Sequence, residues 1–280
     1  GRGFIDDRVN DASREGIAPA GSLGDNLVSI GDRNAPTAAY AAFSPHFKCG
    51  TRSRVASQKT SGIADYEGFL GGQFWDGRAK NLQEQAGGPV ENPKEMDSSF
   101  KELIPKLNKT PYKKMFQAIY KDGITKRNIE DAIAEYEKTL ITPNAPFDKY
   151  LRGDKTALSK GAIEGYALFK NKGCISCHQG INIGGNMYNK FGIFHDAKAK
   201  DFGRYNVTHK ERDKYYFKVP SLRNVALTAP YFHDGRTKSL REAVELMSEY
   251  QLGRKITPQE IDKIVLFLEA LNGEFKSSKK

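Results

Sequence analysis

Cys174-Ile175-Ser176-Cys177-His178 is the stretch on which the reading of the whole chain turns. Two residues between the thiols let both sulfurs reach one porphyrin edge and bond to its vinyl carbons, and the adjacent His then points at the iron. A zinc ribbon needs a second cysteine pair, and the remaining cysteine is Cys49, alone in Phe47-Lys48-Cys49-Gly50-Thr51 and expected as a half-buried free thiol. A thioredoxin-like site sits in a strand-to-helix turn and has no use for His178. Here a helical pattern from about Ser159 to Phe169 leads into the motif, and Gln179 to Gly185 follows as an open loop. The motif therefore reads as a covalent haem c site, with Cys174 and Cys177 as attachment points and His178 as an axial ligand.

A six-coordinate iron needs a second axial ligand. The residue types available are the other histidines (His46, His195, His209, His233), the 4 Met and several Tyr. Met247 lies in Ala243-Val244-Glu245-Leu246-Met247-Ser248-Glu249-Tyr250, a short helical pattern well downstream. A Met/His pair raises the reduction potential, which suits an electron acceptor. A Met on an amphipathic helix is also common core filler, so spacing alone leaves the ligand open.

Outward from the motif, helix signals dominate. Asn81 with Glu84 and Ser99 with Glu102 are capping pairs, the second leading into Leu103, Ile104 and Leu107. Thr110-Pro111 fits an N-cap followed by Pro at the first helical position. A helix is expected over about Lys126 to Leu140, with Ile129, Ile133, Tyr136 and Leu140 on one face. Late helices are expected at Ser239–Met247 and Thr257–Leu271, the last with Ile261, Ile264, Val265 and Leu268 inward. Gly1 to roughly Gly72 reads instead as long ordered loops, which usually wrap something large. No β-rich segment, internal repeat or low-complexity tract stands out. Pro143 through Pro146 and the polar Arg152-Gly153-Asp154 mark a boundary, giving domains of 1–150 and 151–280.

The chain has 280 residues and a formal net charge of +10. Its basic residues are spread along the chain and mixed with acids, apart from a short tail carrying Lys276, Lys279 and Lys280, which argues against nucleic acid as partner. No stretch approaches the roughly 18 apolar residues of a membrane span. The start, Gly1-Arg2-Gly3, has neither an initiator Met nor a signal peptide and reads as a mature or truncated form.

Four runs carry a resemblance to a known family. They are Arg33-Asn34-Ala35-Pro36-Thr37; Phe74-Trp75-Asp76-Gly77-Arg78-Ala79; Glu84-Gln85-Ala86-Gly87-Gly88-Pro89 continuing to Asn92-Pro93-Lys94-Glu95-Met96; and Val219-Pro220-Ser221-Leu222-Arg223-Asn224 through Thr228-Ala229-Pro230-Tyr231-Phe232-His233-Asp234-Gly235. In order and spacing the chain resembles the bacterial di-haem cytochrome c peroxidases. That resemblance implies a mainly α fold of two cytochrome-c-like helical domains with long loops, binding haem. It implies reduction of hydrogen peroxide to water in the periplasm, with electrons from a small donor protein, a cytochrome c or cupredoxin. The basic surface suits an acidic donor steered by charge. A homodimer is compatible with the family.

Residue by residue, the resemblance implies that Cys174, Cys177, His178 and Met247 hold the electron-transfer haem. Glu95 falls on the acid–base carboxylate beside the peroxide-binding iron, with Gln85 near it, and Trp75 on the aromatic between the haems. Asn34, Thr228 and Pro230 fall on oxygen donors to an inter-domain calcium, and His233 on a residue near the domain interface. Two departures stand out. The family carries two C-x-x-C-H motifs and this chain has one; the other is expected just upstream of Gly3-Phe4-Ile5-Asp6, on a longer parent protein that holds the second haem. Many members also keep a His shortly before the Arg-Asn-Ala-Pro-Thr run, where this chain reads Ser29-Ile30-Gly31-Asp32, leaving the peroxidatic iron open or capped by His46. The competing readings are a non-catalytic electron-transfer cytochrome and a related di-haem oxidase acting on a partner protein. The latter places Tyr where Met247 stands, although Tyr250 is close by.

Overall fold

Polar side chains start most of the helices. The side chains of Asn81, Ser99, Thr125, Ser159, Ser239 and Thr257 each accept a hydrogen bond from the backbone N–H three residues on, satisfying a donor that the first helical turn leaves free. The computed structural model describes residues 21–53 and 64–274. The Gly3–Asp6 segment and the lysine tail lie outside the described residues.

Among the described residues nine α-helices follow in order: α1 (Leu82–Glu91), α2 (Phe100–Leu107), α3 (Tyr112–Ile119), α4 (Lys126–Lys138), α5 (Pro146–Leu151), α6 (Lys160–Asn171), α7 (Tyr205–Thr208), α8 (Leu240–Leu252) and α9 (Pro258–Glu269). The chain is mainly α, as expected. None of these helices is long and apolar enough to cross a membrane. Two sheets of two antiparallel strands interrupt the loops: β1 (Lys48–Arg52) with β2 (Tyr66–Leu70), and β3 (Tyr188–Lys190) with β4 (Tyr216–Lys218). The sequence reading missed both. β1 is exposed along nearly its whole length and so lacks an alternating apolar signal. β3 and β4 are three residues each, too short to show a period.

Three other expectations need correction. Helix α3 starts at Tyr112 with Pro111 at its cap, one residue later than expected, although Thr110 Oγ1 still accepts from Tyr112 N at 3.3 Å. On α4, Ile129 and Leu140 are buried, but Ile133 and Tyr136 stand 37% and 64% exposed. The buried positions on that helix are Asn128, Ile129 and Ala134, so its inner face is turned from the one its largest side chains mark. Cys49 lies exposed on β1 rather than half-buried.

The N-terminal half packs Val90, Phe100, Ile124 and Ile129, with Leu103, Ile104, Leu107 and Phe116 against them. A second, larger core is built on the crossing of α6 and α9. Ile261, Ile264, Phe267 and Leu268 of α9 are buried there, and Phe267 meets Phe147, Tyr166 and Phe169 at centroid distances of 5.1 Å each. Phe147 and Tyr150 of α5 pack into this core, which assigns α5 to the C-terminal body. The helices approach so closely because Gly165 faces the partner backbone: a Cβ there would lie 1.8 Å from the Lys263 carbonyl oxygen. Gly165→Ala must therefore drive the pair apart, and we expect it to cost about 2–3 kcal/mol, the upper part of the overpacking range, read as a lower denaturant midpoint. A midpoint at the wild-type value would show that the crossing is not under this constraint.

Candidate active site

Helix α6 delivers the cysteine motif. After Asn171 the chain reverses at Gly173, whose φ of 106° is left-handed, and Cys174–Ser176 forms one 3-10 turn. His178 N donates to the Cys174 carbonyl at 3.0 Å, closing the turn so that both thiols and the imidazole come to one side. Cys177 Sγ accepts from Asn189 Nδ2 at 3.2 Å. His178 Nδ1 lies 3.3 Å from the Ile183 carbonyl, which fixes Nδ1 as the protonated nitrogen and leaves Nε2 with a free lone pair. The supporting loop can come this close because Gly184 has φ 135° and no Cβ; one would lie 2.0 Å from the Pro220 carbonyl oxygen. Burial pulls the imidazole down to about 4 and pushes the Cys174 thiol up to about 12. His178 is thus neutral at physiological pH, the form in which imidazole binds a metal.

Cys174, Cys177, His178 and Met247 all line one cavity of about 260 Å³. Its walls are mostly apolar, including Phe169, Val225 and Leu268. Met247 reaches it from α8 and packs in the cluster of Phe191, Ala197 and Phe217. Tyr250, one turn further along α8, stacks edge-on against Phe191 at 5.8 Å and is not part of the cavity wall. Two thiols at one edge, a neutral imidazole with a free nitrogen and a thioether on one apolar cavity fit haem c.

A second cavity of about 170 Å³ adjoins the first and is lined by Asn34, Trp75, Gln85, Glu137, Thr228 and Pro230 among others. Trp75 walls both cavities. Its indole Nε1 donates to the Asn34 carbonyl at 2.8 Å, and its ring meets His233 edge-on at 6.3 Å. His233 is itself buried, lines the larger cavity and stacks on Phe217 at 4.0 Å. Asn34 Nδ2 donates to the carbonyls of Pro230 (2.7 Å) and Phe232 (3.1 Å).

The structure thus brings Trp75, Gln85, Asn34, Thr228 and Pro230 together, and separately Cys174, Cys177, His178 and Met247. Glu95 stands apart from both cavity walls. It sits in the loop after α1, where its carboxylate accepts from Asn92 Nδ2 at 2.9 Å and its carbonyl from Asp25 N at 2.6 Å. His46 is exposed in the loop before β1 and lines neither cavity. His195 and His209 are exposed as well.

Two residues at the cavities had no signal in the sequence reading. Lys218 walls both, and Glu137, near the end of α4, reaches the smaller one from a pattern that reads as solvated helix. Glu137 Oε2 is buried without a hydrogen-bond partner among the described residues, and burial pushes its carboxyl up to about 7.

A C-x-x-C-H turn on a haem-fitting cavity, walled by an aromatic from a second cavity, defines a haem protein of the cytochrome c type. The comparisons agree with that class. The family described as di-haem cytochrome c peroxidase matches residues 10–156, and the family described as cytochrome c matches residues 162–272. Cytochrome c peroxidase Ccp of Escherichia coli is 53% identical over 72% of this chain and 45% of its own length. Cytochrome c551 peroxidase of Nitrosomonas europaea is 48% identical over 72% of this chain and 62% of its own. Methylamine utilization protein MauG of Paracoccus denitrificans is 32% identical over 92% and 70%. The crystal structure of the diheme peroxidase BthA from Burkholderia thailandensis shares the fold, with a TM-score of 0.76 at 21% identity over 97% of this chain and 79% of that one. The chain belongs to the di-haem cytochrome c peroxidase family. It spans about half to under two thirds of the length of the peroxidases it matches.

Glu137 gives a pH signature. Its carboxyl is raised in the folded state from an ordinary value of 4.5 to about 7 by burial. The protonated form is therefore the favoured folded form, so its contribution is fully present below about 4.5 and is lost as pH rises through about 7. Glu137→Gln should flatten that decline and raise the thermal midpoint on the alkaline side of the window. An identical pH profile for variant and wild type would place the carboxylate in water.

Proposed function

We propose that this chain is the body of a periplasmic cytochrome c peroxidase that reduces hydrogen peroxide to water with electrons from a small redox protein. The observation that carries the reading is Trp75, one indole in the walls of both cavities. The family and its peroxidase-named relatives support the chemistry. The larger cavity belongs with the C-terminal cytochrome-c-like domain, the smaller one is walled by both halves of the chain, and the two adjoin at Trp75.

Haem in the larger cavity supplies one-electron exchange with the donor. Cys174 and Cys177 would hold it, His178 would bind its iron through Nε2, and Met247 would supply the second protein ligand. Met247 is favoured over Tyr250 because it is the one of the two that reaches the cavity. This also favours a peroxidase over an oxidase acting on a partner protein. The second haem of the full-length protein belongs with the smaller cavity. On that side the Gln85 amide would orient peroxide, and Glu95, held in the loop after α1 outside the cavity wall, would have to swing in from Asn92 to move a proton between the peroxide oxygens. Peroxide takes up two electrons and two protons to give two waters. Trp75, in the walls of both cavities, offers an aromatic path for those electrons.

Asn34, Thr228 and Pro230 form a calcium site at the same junction. Hard, neutral oxygens suit calcium, and backbone carbonyls need no particular side chain. Taking the ion turns the Asn34 amide so that Oδ1, rather than Nδ2, faces the Pro230 carbonyl.

The first test uses the native gene product matured in a host that attaches haem c, with haems counted against protein. Two haems per chain, and peroxide-dependent oxidation of a reduced donor cytochrome, are expected. A single haem and no turnover would make the protein an electron carrier. In the same holoprotein Glu95→Gln should leave haem content unchanged and lower kcat by about 100-fold or more; wild-type turnover would remove Glu95 from the reaction. Calcium added to the chelator-stripped holoprotein should raise its Tm, and Asn34→Leu should abolish that increment. An equal rise in both proteins would move the ion elsewhere.

A further inference from the structure

The larger cavity is mostly apolar, yet two lysines line it, Lys172 and Lys218. Lys172 Nζ has an acid of its own, Glu260 at 2.7 Å. Lys218 does not. Its Nζ donates to the Gly72 carbonyl at 2.8 Å, a neutral acceptor. Asp76 is the acid whose charge acts on it, but Asp76 already carries Arg33 at 2.6 Å and Arg78 at 3.1 Å. Burial pulls the Lys218 ammonium down to about 8. A cation taken out of water with only a dipole for company is costly, and proteins keep one where an anion completes it.

The position of Lys218 says where that anion comes from. It ends β4, opposite Tyr188, and its backbone N–H donates to the Trp75 carbonyl at 2.7 Å. Lys218 therefore belongs to the wall shared by the two cavities, and its backbone is tied to the aromatic that joins them. Haem brings two carboxylates of its own into any cavity that holds it. Among the polar groups lining the larger cavity, Lys218 is the cation without a carboxylate.

We propose that Lys218 is the counter-ion of a haem propionate: one propionate of the haem attached at Cys174 and Cys177 ends against Lys218 Nζ. Lys218 is thus a positioning and tuning residue rather than a catalytic one. It locks the haem's polar edge toward Trp75, and its charge favours the reduced iron. The inference rests on haem attachment at Cys174 and Cys177 and is independent of peroxidase activity. A haem count establishes the first and a turnover assay the second, so failure of either is distinguishable from failure of this inference.

The test compares the full-length holoprotein with Lys218→Gln, which keeps a donor for the Gly72 carbonyl without the charge, and Lys218→Arg, which keeps the charge on a different head group. Resonance Raman reads the propionate-bending mode, and spectroelectrochemical titration reads the potential of the Met/His haem. Both variants should move the propionate mode. Lys218→Gln should also lower the potential so that the ferrous-to-ferric ratio at fixed ambient potential falls tenfold or more, ~59 mV for one electron. Lys218→Arg should keep that ratio within a few fold of wild type. A wild-type propionate mode in either variant overturns the contact, even if the potential moves. An unchanged potential in Lys218→Gln overturns the tuning role. Should Lys218→Gln not mature, the Raman result on Lys218→Arg still decides the contact.

Discussion

Everything at the junction depends on one buried side chain and its backbone, Asn34. Its carbonyl takes the indole N–H of Trp75, its own N–H goes to the His233 carbonyl, and its amide spans the carbonyls of Pro230 and Phe232. A buried polar group must find its partners, and here those partners come from two distant parts of the chain. The early loop segment is thereby fixed against both the bend at Trp75 and the Pro230–His233 turn. Remove that set of bonds and neither cavity keeps its shared wall. Next to it, Arg33 bridges Asp76 and Asp201 (2.6 and 2.9 Å), tying the early loop to the Trp75 segment by charge and adding a third part of the chain at Asp201.

The surroundings of Trp75 are arranged to keep it still. His233, Phe217 and Phe191 form a continuous aromatic group, with Phe191 edge-on to His233 at 5.2 Å. On the other side Arg204 lies over Phe47 and Phe69 at 4.2 and 4.4 Å and donates to the Asp76 carbonyl at 2.6 Å. Rings packed edge to face, with a guanidinium laid over two of them, leave little room for rotation. Electron transfer between two fixed centres benefits from a rigid intervening medium, because distance enters its rate exponentially.

Much of this was legible in the chain. C-x-x-C-H has a narrow set of chemical meanings, and the capping pairs at Asn81, Ser99, Ser239 and Thr257 marked helix starts that the structure reproduces. What resisted reading depended on partners far away in sequence. The inner face of α4 is set by what α1 and its loops offer, so Ile133 and Tyr136, the residues that define an apolar stripe, end outside while Ala134 goes in. Glu137 and Lys218 have neighbourhoods in sequence that mark a solvated helix end and a short polar strand; only the cavity gives them meaning. Trp75, Gln85 and Glu95 were singled out through family resemblance alone; the first two line one cavity, and Glu95 lies in the loop after α1, bonded to Asn92.

Trp75 also has a consequence for how such a protein can diverge. One indole walls two cavities, so a substitution that reshapes one of them necessarily reshapes the other. The two halves cannot drift independently at this position, and a duplicated or fused relative that gained a new substrate would have to alter its loops and leave this ring alone. Variation tolerated around the rim and refused at a wall common to two cavities is the pattern expected of a pleiotropic residue, legible in a mutational scan as a single intolerant column flanked by permissive ones.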